Sequence, residues 1–312
     1  MSGAVTTPRP TGWRWRRLRS AGPLRRKVAA AALVAVAACG GTQTPCETDV
    51  GATEERGSSA GALTAAHAQA NLTAVAWLQG AAEARALSVQ TYAQAALALE
   101  RKLAAFDLGA ASPAVVLDLD ETVLDNSPYQ AWLLHSGQAF SDETWDAWCD
   151  AREATAVPGA LEFVQGALGS GVAVYFVSNR SAAVEQATRE NLAALGFGEA
   201  LLDDIDTVLL KGERPEWRSA KSTRLAHVAV DHTIVMLVGD NLGDFTDDYL
   251  TSPDARAAFI DDNRGRWGEE WIMLPNPTYG SWLSALFGHD WSTPAAAQTD
   301  AVLQSLRVWE GP

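Results

Sequence analysis

Short apolar runs recur through the middle of the chain. Val115-Val116-Leu117, Val172–Val177, Thr207–Leu210 and Thr233–Val238 each place hydrophobic residues on consecutive positions rather than alternate ones. Runs of this length and pattern are strands buried on both faces, as in a parallel sheet. Helical stretches lie between them. One opens at Pro158-Gly159-Ala160, with proline in its first turn, and closes at Gly169-Ser170-Gly171. Another runs from about Ala182 to Leu195 and is stopped by Gly196. Strands alternating with helices predict an α/β fold on a parallel sheet with right-handed crossovers. Two alanine-rich helices are expected before the first strand, the first over roughly Leu63 to Arg85. In the second, Val89, Tyr92, Ala96, Leu99, Leu103 and Phe106 recur at steps of three and four and mark one face. The alternation is interrupted from Asn126 to about Val157, a stretch rich in Tyr129, Trp132, Trp145 and Trp148. Its size suits a small, mainly helical cap over the strand ends.

Composition changes this picture mostly at the N-terminus. The chain has 312 residues, 47% of them hydrophobic, enough for one large domain with additions. Residues 1–38 hold eight basic residues and no acidic one; the other 16 basic residues and all 38 acidic ones follow, a net of −22. So acidic a body disfavours nucleic-acid polymers and anionic membranes as partners. The basic segment ends at Arg25-Arg26-Lys27, and the apolar stretch Val28–Ala38 is too short to span a bilayer. Small residues then meet Cys39 in Val36-Ala37-Ala38-Cys39-Gly40. This is the layout of a secretory signal. Its end resembles the lipobox of bacterial lipoproteins, which implies a lipid on Cys39. Arg16-Arg17 is a faint twin-arginine hint in so arginine-rich a segment. The expected organisation is a signal peptide over 1–38, a flexible tether over 39–60 and a folded domain over 61–312, with the cap at about 126–157. Cys46 and Cys149 are expected unpaired, and without a Cys-x-x-Cys or histidine cluster zinc is not expected.

The candidate chemistry sits at the strand ends, where open α/β sheets bind their ligands. The first strand stops at Asp118-Leu119-Asp120-Glu121-Thr122, the second at Ser178-Asn179-Arg180, and the fourth at Gly239-Asp240-Asn241-Leu242-Gly243-Asp244. A lysine follows the third, either Lys211 or Lys221. Phosphoryl transfer uses such a set. One carboxylate attacks phosphorus and a second moves the proton of the leaving oxygen. Mg2+ takes oxygen ligands, and a hydroxyl and a lysine hold the phosphate oxygens as they gain charge.

In this order the motifs resemble those of the haloacid dehalogenase superfamily of phosphatases. The longer strings Asp118-Leu-Asp-Glu-Thr-Val-Leu-Asp-Asn-Ser-Pro-Tyr129, Gly239-Asp-Asn-Leu-Gly-Asp-Phe245 and Leu274-Pro-Asn-Pro-Thr-Tyr279-Gly-Ser-Trp282 are similar to the bacterial lipoprotein e acid phosphatase (5′-nucleotidase) family, within the class C acid phosphatases. The resemblance spans about Leu72 to Leu286 and implies a Rossmann-like parallel sheet of the haloacid dehalogenase type. It implies Asp118 as nucleophile and Mg2+ ligand, and Asp120 as acid and base with its backbone carbonyl on the metal. Ser178 would hold phosphate with Asn179 nearby, Asp240 would ligate the metal and Asp244 would support its waters. Lys221, nineteen residues before Asp240, matches the family pattern better than Lys211.

Substrate choice is expected in the aromatics, Trp145 from the cap and Tyr279 from the C-terminal loop, with Tyr129 a third candidate. Such a pocket favours nucleoside monophosphates or aryl phosphates. The expected protein is a Mg2+-dependent phosphomonoesterase outside the cytoplasm, lipid-anchored to a bacterial outer membrane or cell surface. The alternatives are a surface lipoprotein that binds a ligand such as haem without catalysis, and a phosphotransferase or phosphomutase on the same scaffold. The sequence leaves the oligomeric state open, a homodimer included.

Overall fold

The computed structural model describes residues 71–107, 111–202 and 204–311. The expected signal peptide, Cys39 and the tether lie outside the described residues. After a helix over 71–80 (α1) come α2 (Ala82–Ala104) and β1 (Pro113–Leu117). The cap insertion follows as β2 (Leu124–Asp125), α3 (Ser127–Ser136), α4 (Asp142–Ala151) and β3 (Thr155–Ala156). The chain continues through α5 (Ala160–Gly169), β4 (Ala173–Ser181), α6 (Glu185–Leu192), β5 (Val208–Lys211), α7 (Ser222–Val228) and β6 (Thr233–Gly239). It ends with α8 (Pro253–Asp262), β7 (Trp271–Met273), α9 (Ser281–Ala285) and α10 (Ala295–Ser305).

Five strands form one sheet in the order β5-β4-β1-β6-β7, with every neighbouring pair parallel. The consecutive apolar positions of the strands divide between its faces. Val115, Leu117, Val174, Phe176, Leu210 and Val238 point to one side, where α2 and α5 cover them with Tyr92, Leu99, Phe163 and Val164. Ala114, Val116, Tyr175, Val177 and Leu209 point to the other, under Trp217 and Val228. Both faces are therefore dry, as the unbroken runs require. The strands proceed outward from β1 to β4 to β5, then return to β6 and β7. The order reverses between β1 and β6, and at such a switch point the loops diverge and leave a crevice.

Two differences from the sequence reading concern helices and the others strands. The helix break falls at Ala81, where the backbone is extended (φ −81°, ψ 128°), just after Gly80 rather than near Arg85. The buried face of α2 is Tyr92, Ala95, Ala98 and Leu99, whereas Val89 is 45% exposed and Ala96 also faces solvent. Small alanines let α2 lie close to its neighbours, so its inner face carries less hydrophobic bulk than its sequence suggests. Tyr92 packs on Phe163 with ring centroids 5.6 Å apart. Its Cβ would lie 3.0 Å from a β-carbon at Gly159, whose φ is +95°. The missed strand of the five-stranded sheet is β7. Three residues are too few to show a period, and its pairing with β6, Leu237 opposite Trp271 and Val238 opposite Ile272, makes it a strand. The short pair β2–β3 at the base of the cap was not expected either.

The cap consists of α3 and α4, closed at its base by the antiparallel pair Leu124–Ala156 and Asp125–Thr155. Ser141 caps α4 by accepting from the Thr144 N–H. Tyr129, 2% exposed, is the centre of the cap. Trp132 stacks on it at 5.9 Å, and Trp145 and Phe140 meet it edge-on. Among the described residues no helix is long and apolar enough to cross a membrane.

Tyr92 also ties α2 to the loop after β1, its hydroxyl donating to the Thr122 carbonyl at 2.6 Å in the buried interior. Tyr92→Phe keeps the ring and strands that carbonyl. An orphaned buried acceptor costs about 1–3 kcal/mol, so urea unfolding of the variant is expected to show a loss of that size with an unchanged m-value. An unchanged midpoint would mean that the loop does not depend on this anchor.

Candidate active site

The site is built on the ends of β1, β4 and β6. The Asp118 N–H donates to the Val238 carbonyl at 2.9 Å, so β1 and β6 stay paired up to the first carboxylate. Beyond it the chain folds back sharply. The Leu119 carbonyl accepts from the Val123 and Leu124 N–H groups at 2.8 Å each, and Glu121 adopts φ 58°. On β6, a β-carbon at Gly239 would fall 2.3–2.5 Å from atoms of Asp244, so only glycine allows the approach. Asn241 then caps the turn that carries Asp244. Its N–H donates to Asp244 Oδ2 at 2.9 Å, and its side chain accepts from the Gly243 N–H.

These turns bring three aspartates together. One carboxylate oxygen from each of Asp118, Asp240 and Asp244 lies within 4.8 Å of the other two. Lys221 is 4% exposed, and its Nζ sits 2.5 Å from Asp118 Oδ1 and 2.7 Å from Asp244 Oδ1. Lys211 instead closes β5, opposite Ser181. Burial opposes the Lys221 ammonium, but Asp118 and Asp244 outweigh it and hold its pKa above the ordinary value. Burial raises the Asp118 carboxyl; Lys221 pulls it back, and Asp244 and Asp120 push it up again. Asp240 is held well above the usual carboxylate range by burial, then by Asp244 and Asp118, against Asn276 and Lys221. The cluster has more negative charge than one lysine offsets, and all its donors are the oxygens that hard cations prefer. It can therefore hold a divalent metal.

The Asp120 side chain does not join that cluster. Arg180 Nε and Nη2 contact its Oδ1 at 2.9 and 2.8 Å, Asn126 Nδ2 donates to the same oxygen at 3.0 Å, and Ser178 Oγ donates to Oδ2 at 3.1 Å. Ser178 is thus beside the second carboxylate. Asn179, expected near phosphate, spends its amide on the protein: Nδ2 donates to the Ser219 carbonyl, and Oδ1 accepts from Arg224 at 2.7 Å. Its side chain ties the end of β4 to the loop before α7 and to Arg224.

The aromatic candidates separate. Trp145 is half-buried on the cap, its ring centroid 5.7 Å from Arg180 Cζ. Tyr279 is half-buried on the loop after β7, where its carbonyl accepts from Trp282 Nε1 at 3.0 Å. Tyr129, the third candidate, is sealed inside the cap, and its hydroxyl bonds Thr144 Oγ1 at 2.9 Å. A ring with no free face cannot stack on a ligand; Tyr129 supports Trp145 from behind.

Four residues at the site had no role in the sequence reading. Arg180 and Asn126 surround Asp120. Asn276 Nδ2 donates to Asp240 Oδ2 at 2.7 Å. Arg224, fully buried, donates to the Ser178 carbonyl at 2.5 Å. Asn126, Arg180 and Asn276 fall inside the quoted motifs, and Arg224 lies three residues after Lys221. Nothing local shows that their side chains turn inward.

Comparison with known proteins adds a family. The sequence profile of the HAD superfamily, subfamily IIIB (acid phosphatase), matches residues 49–282. The class C acid phosphatase from Bacillus anthracis is similar in structure, with a TM-score of 0.71 and 35% identity, over 80% of this chain and 99% of that one. Its structure with tungstate bound gives 0.72 and 34%, over 79% and 100%. Acid phosphatase 1 of Solanum lycopersicum is 29% identical over 167 residues, 53% of this chain and 57% of that protein. The stem 31 kDa glycoprotein of Glycine max is 26% identical over 167 residues, 53% of this chain and 58% of that protein. The chain thus spans a little over half the length of these plant relatives. Profile, fold and strand-end motifs agree, and the chain belongs to subfamily IIIB of the HAD superfamily, the acid phosphatases.

Proposed function

We propose that this chain hydrolyses phosphomonoesters through an aspartyl phosphate formed on Asp118. The observation that carries this reading is the convergence of Asp118, Asp240, Asp244 and Lys221 at the switch point of a parallel sheet. The tungstate in the Bacillus anthracis relative, a tetrahedral oxyanion shaped like phosphate, supports the same ligand class here.

In this reading the Asp118 carboxylate attacks phosphorus and the bond to the ester oxygen breaks. Asp120 gives its proton to that oxygen, so the alcohol leaves neutral. Asp120 then takes a proton from water as it attacks the acyl phosphate, which restores Asp118 and releases inorganic phosphate. Lys221 and the Ser178 hydroxyl stabilise the phosphoryl oxygens as their charge rises. Asp118, Asp240 and Asp244, with the Asp120 carbonyl, would hold a divalent cation, taken as Mg2+, which when bound supplies positive charge beside those oxygens. Asn276 keeps Asp240 aimed by donating to its Oδ2.

The half-buried Trp145 and Tyr279 support a flat leaving group, which favours nucleoside monophosphates and aryl phosphates. The layout of residues 1–39 supports export and a lipid on Cys39, hence a substrate met outside the cytoplasm at a bacterial membrane or cell surface. No observation at the site favours a non-catalytic haem binder.

Asp118→Asn is isosteric and removes the nucleophile's charge. It is expected to abolish phosphate release from p-nitrophenyl phosphate while leaving the circular dichroism spectrum and melting profile in place; near-normal turnover would end the nucleophile assignment. EDTA is expected to stop the wild-type reaction, and added Mg2+ to restore it, in the same assay. Base stacking contributes about 1–3 kcal/mol per ring, so Tyr279→Ala is expected to raise KM for AMP at least about fivefold. KM for glycerol phosphate, which has no ring, should stay the same, and an equal rise for both would remove Tyr279 from leaving-group recognition.

A further inference from the structure

The contacts of Asp120 are unequal. Its Oδ1 receives Arg180 Nε and Nη2 at 2.9 and 2.8 Å and Asn126 Nδ2 at 3.0 Å, while among the described residues Oδ2 meets only the Ser178 hydroxyl, at 3.1 Å. Everything around Oδ1 is an N–H donor, and a guanidinium cannot accept a hydrogen bond. A proton on Oδ1 would point at donors. A proton on Oδ2 would not, because a serine hydroxyl can accept as well as donate.

The donors are themselves fixed. Arg180 is 1% exposed and Asn126 fully buried. Arg180 Nη1 donates to Thr188 Oγ1 on α6, and Nη2 also reaches Asn126 Oδ1, each at 3.2 Å. That same Asn126 oxygen accepts from Trp148 Nε1 of the cap at 2.8 Å, and the Asn126 N–H donates to Glu121 Oε1 at 2.9 Å. On its other side the guanidinium lies against the Trp145 ring, 5.7 Å from its centroid. Trp148 and Trp145 of the cap therefore bear on the pair that holds Asp120.

We propose that Arg180 and Asn126 are positioning residues that confine the mobile proton of Asp120 to Oδ2, and that Trp148 and Trp145 tie this arrangement to the cap. The cap then affects catalysis in two ways, by presenting a ring to the leaving group and by orienting the acid that protonates it. The inference rests on the proposed acid role of Asp120, and the test separates the two.

Wild type, Asp120→Asn, Arg180→Lys, Asn126→Ala and Trp148→Phe are compared in Mg2+ by kcat/KM, which reports the steps up to cleavage of the ester. Two substrates are used: p-nitrophenyl phosphate, whose leaving group departs without protonation, and glycerol phosphate, whose alkoxide needs the proton. General acid catalysis contributes about 10²–10⁴-fold. Asp120→Asn should therefore lose about that much on glycerol phosphate and far less on p-nitrophenyl phosphate. Arg180→Lys and Asn126→Ala should show the same skew, at least about tenfold between the substrates. Trp148→Phe keeps an aromatic ring, though a smaller one, and loses the N–H, and should show a smaller skew in the same direction. If Asp120→Asn is skewed and the other variants lose equally on both substrates, the positioning inference is overturned and the proposed function stands. If Asp120→Asn is not skewed, the acid assignment itself fails. Should Arg180→Lys or Asn126→Ala fail to fold, Trp148→Phe decides alone, and equal losses on both substrates overturn the inference.

Discussion

Three carboxylates, Asp118 and Asp244 buried and Asp240 half-buried, face one another across the end of a parallel sheet, and this is the constraint from which the rest of the structure follows. Like charges in a dry site repel strongly, and a buried charge left unpaired is more costly than most tertiary contacts can offset. Lys221 answers part of that repulsion by bridging Asp118 and Asp244. What it leaves over is negative, oxygen-only and confined within 4.8 Å. A site of this kind is stable as a receptor for positive charge and works against itself without it. The same arrangement that strains the fold thus defines what the fold can bind.

Asparagines do much of the remaining work. An amide both donates and accepts, so one side chain can hold a carboxylate on one side and a second loop on the other. Asn126 bonds Asp120 and receives the cap through Trp148. Asn276 bonds Asp240 and turns its own loop by accepting from Thr278 and Tyr279. Asn241 carries the turn before Asp244 and receives Ser281 of α9. Asn179 joins the end of β4 to Arg224, which in turn holds the Ser178 carbonyl. Each loop that brings an aromatic ring toward the site is therefore fastened to a catalytic candidate, and neither cap nor C-terminal loop is positioned by hydrophobic packing alone.

Packing sets the frame on which these polar ties can be accurate. The sheet is covered on both faces, and β1 stays paired with both β4 and β6 up to Leu117, while β4 and β5 lose register between Ser178 and Ser181. Gly239 lets Asp244 approach β6 at a distance no side chain would permit. The cap has its own small centre at Tyr129, ringed by Trp132, Phe140 and Trp145.

The residues by themselves determined much of this. Consecutive apolar runs ending in polar residues can be little else than buried parallel strands, and they placed Asp118, Ser178 and Asp240 on one edge. The spacing of Lys221 from Asp240 favoured it over Lys211, and Lys221 is the lysine that reaches the carboxylates. Other features were hidden for a physical reason. The face of α2 was obscured because alanine packs as well inward as outward, and β7 because three residues carry no period. Tyr129 looked like a ligand platform because composition cannot distinguish a ring that faces a cleft from one that fills a core. Arg180 and Asn126 stood in plain view within the motifs. Only the tertiary structure decides whether their side chains meet Asp120: Arg180 is sixty residues away, so its contact leaves no trace in either local pattern, and Asn126, six residues away, is aimed by partners on β4 and the cap, Arg180 and Trp148.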